Sequence, residues 1–153
     1  MRSINEAVIF IGIQATGKSE FYRRKFADTH MRINLDMLKT RNRERILFEA
    51  CIEARQSFVI DNTNPTKADR ERYIIKAKEA GFRVTGYYFK SSISESITRN
   101  ELRQSCAKVP AGAIAGTHSK LELPSLSEGY DELYYVHIGE DGSFIVEDFA
   151  DEV

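Results

Sequence analysis

Cysteine, proline and long apolar runs are all scarce in this chain, and each scarcity removes a class of protein. Of 153 residues only two are cysteine. Cys51 and Cys106 lie far apart and outside any Cys-x-x-Cys pair, which argues against a disulfide scaffold and a cysteine-based metal site. A reducing, cytoplasmic setting is the expectation. The longest apolar stretch, Ala7 to Ile13, falls far short of a bilayer span, and the first residues lack the basic-then-apolar layout of a secretory signal. Neither a membrane-spanning nor a secreted protein is expected. Three prolines and nine scattered glycines leave no linker, low-complexity tract or repeat to divide the chain. His30, His118 and His137 are isolated and show no metal-ligand spacing. At 42% apolar and 29% charged residues, the chain fits one globular domain, 1–153, with a real core.

The formal net charge is only −1, but it is unevenly spread. Up to Pro110 there are 21 Lys+Arg against 13 Asp+Glu, and from Ala111 onward one against ten. A basic body, 1–110, therefore precedes an acidic part, 111–153. The basic body can attract a phosphate-bearing ligand, or both faces are simply solvated.

Apolar, β-prone runs recur at Ala7–Ile13, Met31–Leu35, Phe58–Asp61 and Arg83–Phe89, each followed by a polar segment and then by helical periodicity. Ile46, Leu47, Ala50 and Ala54 recur at helical spacing before Phe58, and Tyr73, Ile74 and Ala77 do so before Gly81, a residue suited to stop a helix. Strands that are continuously apolar, alternating with helices, predict an α/β fold with a mainly parallel sheet covered on both faces. Tyr134–Ile138 and Phe144–Val146 flank Gly139-Glu140-Asp141-Gly142 and read as a C-terminal β-hairpin. The seven tyrosines, with the pairs Tyr87-Tyr88 and Tyr134-Tyr135, read as core and edge residues.

The most informative segment is Gly12-Ile13-Gln14-Ala15-Thr16-Gly17-Lys18-Ser19, a G-x-x-x-x-G-K-[ST] motif between a buried-strand pattern and a helix beginning near Lys18. A phosphate chain needs close-packed backbone N–H donors, which the glycines leave unobstructed, and gains from the positive end of the following helix. Lys18 supplies an ammonium for the terminal phosphates and Ser19 a hydroxyl that can ligate Mg²⁺. No Asn-Lys-x-Asp element for reading guanine is present, and the chain is small for an assembly ATPase, so a small nucleotide-dependent kinase fits best.

Three further groups are candidates for chemistry. Asp36 follows the second strand, where the carboxyl ends of parallel strands face the ligand crevice; it is either a base that orients a hydroxyl and accepts its proton, or an N-cap of the next helix. Asp61, in Asp61-Asn62-Thr63-Asn64-Pro65 at the end of the third strand, is placed to help hold Mg²⁺, with the polar residues after it touching the acceptor; the same segment is also rich in turn formers. Arg99 and Arg103, four apart on a helix predicted through 94–103, would project from one face and clamp a transferring phosphoryl group, or else lie on a solvated face with Glu95 paired to Arg99. Lys39, Arg41, Arg43 and Arg45 form a basic run that either guides a nucleic-acid strand or is a solvated helix surface with no interleaved aromatic for stacking.

Taken together, these residues resemble the polynucleotide 5′-hydroxyl kinase domain in its phage and animal-repair versions. The matching pieces are Gly12–Ser19, Ile33-Asn34-Leu35-Asp36, Val59 to Pro65, the helix and strand through Gly81 and Phe89, Arg99-Asn100-x-x-Arg103 and Lys108-Val109-Pro110, covering roughly residues 5 to 112. The resemblance implies an adenylate-kinase-like, three-layer α/β/α P-loop kinase fold with a helical lid. It implies ATP and Mg²⁺ as donor and cofactor, and as acceptor a hydroxyl, most naturally the 5′-OH of single-stranded or end-exposed RNA or DNA. It makes Lys18 and Ser19 the phosphate and metal residues, Asp36 the general base, Arg99 with Arg103 the lid clamp, and Val109 a contact to adenine. Two departures stand out. Ala15 occupies a position that is usually glycine in the family, a change tolerated if φ is negative there. Lys39 stands where the family has an arginine that grips the acceptor phosphate, keeping charge but losing the forked geometry. No Asp-x-Asp-x-Thr element is present, so no phosphatase domain is expected. A kinase of a small hydroxylated metabolite and a non-catalytic ATP-binding module are the alternative readings.

Overall fold

The computed structural model describes residues 5–103 and 108–150, so Cys106 lies outside the described residues. Six strands form one sheet in the order β2-β3-β1-β4-β5-β6. These are β1 (Glu6–Ile11), β2 (Met31–Ile33), β3 (Phe58–Ile60), β4 (Arg83–Phe89), β5 (Glu132–Ile138) and β6 (Phe144–Asp148). The first five run parallel and β6 returns antiparallel to β5. The expected parallel sheet and terminal hairpin are both present. Three strands stop earlier than the apolar runs: Ile13, Leu35 and Asp61 fall beyond β1, β2 and β3. There the backbone leaves the sheet to build the site.

Continuous apolarity in the central strands has a direct cause in packing. On β1, Ala7, Ile9 and Ile11 point into one core with Ile33, Phe58 and Ile60, while Val8 and Phe10 point into a second core on the opposite face. Helices α3 (Arg41–Ala54) and α4 (Lys67–Glu79) cover the first face through Phe48, Cys51, Tyr73, Ile74 and Ala77. Helix α1 (Lys18–Lys25) covers the second, where Phe10, Phe21, Phe26, Tyr87 and Phe89 pack edge-on or tilted at 5.0–6.0 Å between ring centres. Such aromatic contacts add to the burial itself. Tyr87 and Tyr88 are buried, with Tyr134 and Tyr135 stacked on them from the neighbouring strand.

The segment after Pro110 departs from the expectation. It opens with a ten-residue helix, α6 (Ala111–Lys120), beside α5 (Ile93–Glu101). Two glycines and small side chains hide it from propensity, and Ile114 is the one residue of α6 that is fully buried. Arg70, with no exposed surface, anchors the chain beyond α6. Its guanidinium donates to both carboxylate oxygens of Glu128 at 2.9 and 3.3 Å and to the carbonyls of Asn64 and Glu122 at 3.0 Å. A buried cation of this kind is tolerable only because it is paired and hydrogen-bonded on several sides.

The hairpin also reaches the glycine-rich loop. The Phe144 ring stands 5.1 Å from that of Phe21, with the Arg24 guanidinium 5.3 Å from its centre. Gly17, at φ +93°, makes this possible, since a Cβ there would come within 2.8 Å of the Phe144 ring. Replacing Phe144 by alanine is expected to cost about 1–2 kcal/mol in urea unfolding, less than a fully enclosed phenylalanine because the ring is partly exposed. An unchanged midpoint would mean that the hairpin does not brace the loop.

Candidate active site

Parallel register brings the carboxyl ends of β1, β2 and β3 side by side, with Ile9 opposite Ile60 and Ile60 opposite Ile33. The residues after each strand therefore meet. Gly12 N–H donates to the Thr63 carbonyl at 3.0 Å, and Asp61 N–H to the Ile33 carbonyl at 2.8 Å, so the three loops are stitched together at their roots.

The glycine-rich loop runs from Gly12 into α1. Gly17 takes a left-handed conformation at the N-cap and leaves the first amides of α1 without a side-chain cap. Free amides at a helix start form an anion site. Lys18 folds back over the loop, its Nζ donating to the carbonyls of Gly12 at 2.9 Å and Ile13 at 2.6 Å. Burial pulls its pKa down from 10.5 to about 8; Arg103 adds to the effect, while Asp61 and Asp36 oppose it. Thr16 closes the loop through a bond from Oγ1 to the Ile13 carbonyl at 3.0 Å, and Ser91 Oγ accepts from Ile13 N–H at 3.1 Å. The negative φ that would let Ala15 replace glycine without strain is not found: its φ is +61°. The loop needs a left-handed residue there whether or not glycine occupies the position, and the Cβ is accommodated at a cost in strain.

Asp36 is not a cap. Asn34 takes that place in α2 (Leu35–Leu38), accepting from Met37 N–H at 2.9 Å, and its amide donates to the Asp61 carbonyl at 2.5 Å. Asp36 is left exposed in the first turn, where it lines two adjoining cavities of about 250 and 880 Å³. Its charge is felt by both Lys18 and Arg103. Lys39 ends the helix at φ +75° and faces the larger cavity.

Asp61 is almost wholly buried, and its Oδ2 accepts from Ser19 Oγ at 3.1 Å and from Arg32 Nε at 2.8 Å. A hydroxyl and a carboxylate oxygen side by side are hard donors of the kind that suit Mg²⁺ when phosphates complete the shell. The polar residues after Asp61 do more bracing than the sequence implied. Asn64 donates to the Phe10 carbonyl at 2.7 Å, and Asn62 accepts from Leu35 N–H while donating to buried Glu44, both at 2.8 Å. All of 61–64 nevertheless line the smaller cavity.

The arginine pair is arranged differently from the one-face expectation. Helix α5 ends at Glu101, so Arg103 lies beyond it in a bend. Both arginines still line the larger cavity, and Arg103 also lines the smaller. Arg99 donates to the Ala15 carbonyl at 3.4 Å and stands 3.9 Å from Glu95. Burial lowers the pKa of Arg103, with Asp36 opposing. Val109 lines both cavities and is tied to α5 by Asn100, which donates to its carbonyl at 2.5 Å and accepts from its N–H at 2.9 Å.

Of the basic run, Arg41 pairs with Glu44 and Arg45 with Glu49, while Arg43 donates to the Leu38 carbonyl. Arg43 and Arg45 lie on the solvated helix surface, whereas Arg41, held by buried Glu44, lines the smaller cavity. Arg32 and Glu44 support the site without lying in any motif, while Asn34 and Asn100 lie inside matching motifs but were given no role there. Asn34 carried a further signal, as a cap-forming residue two positions before the carboxylate.

This sheet order, the glycine-rich loop and the polar strand ends define an α/β P-loop kinase fold. No family model matches the chain. It is 29% identical over 134 residues to the bifunctional polynucleotide phosphatase/kinase of Schizosaccharomyces pombe, an alignment covering 82% of this chain and 32% of that protein. The chain thus spans about a third of the length of the curated relative it matches. Among solved structures, Kti12 of Chaetomium thermophilum in complex with ADP-AlF3 superposes with a TM-score of 0.70 at 14% identity, covering 89% of this chain and 92% of that one. A gluconokinase from Sinorhizobium meliloti 1021 gives 0.62 at 17% identity, covering 91% and 86%. The structural likenesses establish the fold, and over most of its length the chain is similar in sequence to part of a polynucleotide phosphatase/kinase.

Two outcomes are expected. Ala15→Gly removes the left-handed strain but loosens the unfolded chain, for a net gain of about 0.5–1 kcal/mol in chemical unfolding; a loss would mean that the Ala15 methyl packs more than it strains. Below pH 8 the buried Lys18 ammonium costs stability, and this cost is relieved between 8 and 10.5, where the unfolded chain binds more protons than the folded one. Bound phosphates reverse the preference in favour of the ammonium. Nucleotide affinity should therefore fall about tenfold per pH unit above 8, with proton uptake on binding, as read by calorimetry in buffers of different ionisation enthalpy.

Proposed function

We propose that this chain is an ATP- and Mg²⁺-dependent kinase that transfers the γ-phosphoryl of ATP to a hydroxyl, the 5′-OH of RNA or DNA. The observation that carries the reading is the convergence of Asp36, Lys18 and Arg103 on one cavity beside the glycine-rich loop. The sequence likeness to a polynucleotide phosphatase/kinase supports the acceptor class. In this reading residues 1–153 act as one unit, the acidic part 111–153 completing the sheet around the basic core, in a reducing cytoplasm where Cys51 stays a buried free thiol. Among the described residues no helix is long and apolar enough to cross a membrane.

The geometry supports one division of labour. Backbone amides from Gly12 to Ser19 cradle the phosphate chain, and Lys18 turns from its own loop carbonyls to the terminal phosphates. Ser19 and Asp61 would hold Mg²⁺, which when bound neutralises charge on the phosphates. Asp36, exposed to the cavity and held there by the Asn34 cap and Asn62, orients the acceptor hydroxyl and takes its proton. Arg99 and Arg103 meet the charge that spreads over the moving phosphoryl group and, with Val109 beside the base, close the site against water. Lys39 and the 61–64 segment face the acceptor, with Lys39 as a point charge on its phosphate.

Labelled γ-phosphate transfer from ATP, offered 5′-OH oligonucleotides, nucleosides, sugars or no acceptor, tests the proposal. Label should enter oligonucleotides and fall about 10²–10⁴-fold with Asp36→Asn, while Lys18→Ala abolishes ATP binding. Label only on a small molecule would replace the acceptor and keep the kinase. ATP binding without any transfer would make the chain a nucleotide-binding module.

A further inference from the structure

Arg32, at the centre of β2, closes a triangle with two residues of the site. Its Nε donates to Asp61 Oδ2 at 2.8 Å, its Nη2 donates to Ser19 Oγ at 2.9 Å, and Ser19 Oγ donates to the same Asp61 oxygen at 3.1 Å. The side chain of Asp61 is 1% exposed and that of Arg32 26%, so the carboxylate is sealed while the guanidinium opens onto the larger cavity. A buried carboxylate left without a counter-charge is strongly destabilising. Here the compensating charge comes from the end of a long, partly exposed side chain.

Ser19 and Asp61 are also the residues assigned to Mg²⁺ in the proposed function, a reading on which the role of Arg32 rests. Two cations cannot share one carboxylate oxygen and one hydroxyl without strong repulsion. We propose that Arg32 is an exchangeable counter-ion. It holds Asp61 and Ser19 until metal and nucleotide arrive together, and then swings into the cavity that Lys39, Arg99 and Arg103 also line. Its forked donors match phosphate oxygens there, so the nucleotide accepts the charge that the metal displaces. Metal alone has to evict Arg32 with nothing to receive it; metal with nucleotide does not. The two therefore bind cooperatively, and Arg32 is the positioning residue that couples them.

The test compares wild type with Arg32→Gln and Arg32→Lys in thermal unfolding against MgCl₂ without nucleotide, and in calorimetric titration with ADP at several Mg²⁺ concentrations. Wild-type melting should respond little to Mg²⁺ alone. Arg32→Gln should melt lower, regain stability as Mg²⁺ replaces the lost charge, and show a half-saturating Mg²⁺ about tenfold lower for ADP binding. Adding Asp61→Asn should erase that response. If Arg32→Gln does not fold, Arg32→Lys decides, since a point charge without the fork should yield to Mg²⁺ more easily than arginine. Equal Mg²⁺ dependence in wild type and variant, with ADP still bound, overturns the inference alone. Failure of every variant and of wild type to bind ADP overturns the nucleotide reading and the inference with it.

Discussion

Parallel register is the constraint on which the site depends. With Ile9, Ile60 and Ile33 level across three strands, the chain leaves the sheet at Ile11, Ile60 and Ile33 on one edge. Gly12, Asp61 and Asn34 then share one small volume without any of them having to reach for it. A shift of one residue in β2 would turn Ile33 out of its core and Arg32 away from Asp61, so the same apolar contacts that make the core also set the polar geometry. Helices on both faces make this register expensive to change, because each central strand is buried on two sides.

Around that edge the chain concentrates charge where a protein interior tolerates it poorly. Lys18, Asp61 and Glu44 are buried and each is satisfied: Lys18 by loop carbonyls, Asp61 by Ser19 and Arg32, Glu44 by Tyr73, Asn62 and Arg41. The Glu44–Asn62–Leu35 chain of hydrogen bonds holds a one-turn helix that would not persist alone. Asp36 is thereby presented to the cavity on a fixed support.

The sheet, the hairpin and the phosphate loop were legible because each is written in local chemistry: apolar runs, two glycines five apart before a lysine, a Gly-Glu-Asp-Gly turn. Helix α6 was not, since its alanines and glycines carry no amphipathic stripe and its place is set by tertiary contact. The left-handed Ala15 was left open because an alanine by itself gives no sign of positive φ, even where glycine is the usual residue. Arg103 read as helical from its spacing to Arg99, although α5 stops two residues before it, and only the folded chain shows that both still line the cavity. Arg32 looked like an ordinary residue of a short strand. Its role exists only because β3 delivers Asp61 beside it, a pairing between residues 29 apart that no local pattern encodes.

The double hydrogen bond between Asn100 and the Val109 backbone makes residue 109 a passenger of α5. In the proposed function, a tilt of that helix toward the glycine-rich loop would carry Arg99 and Val109 together, so that a contact to phosphate and a contact at the other end of the nucleotide would be made in one event. The entropy of ordering is then lost once rather than twice. On that reading a ligand that lacks either end would gain only half of the reward while bearing the whole of that loss, and the latch would act as a check on the length of what it closes upon.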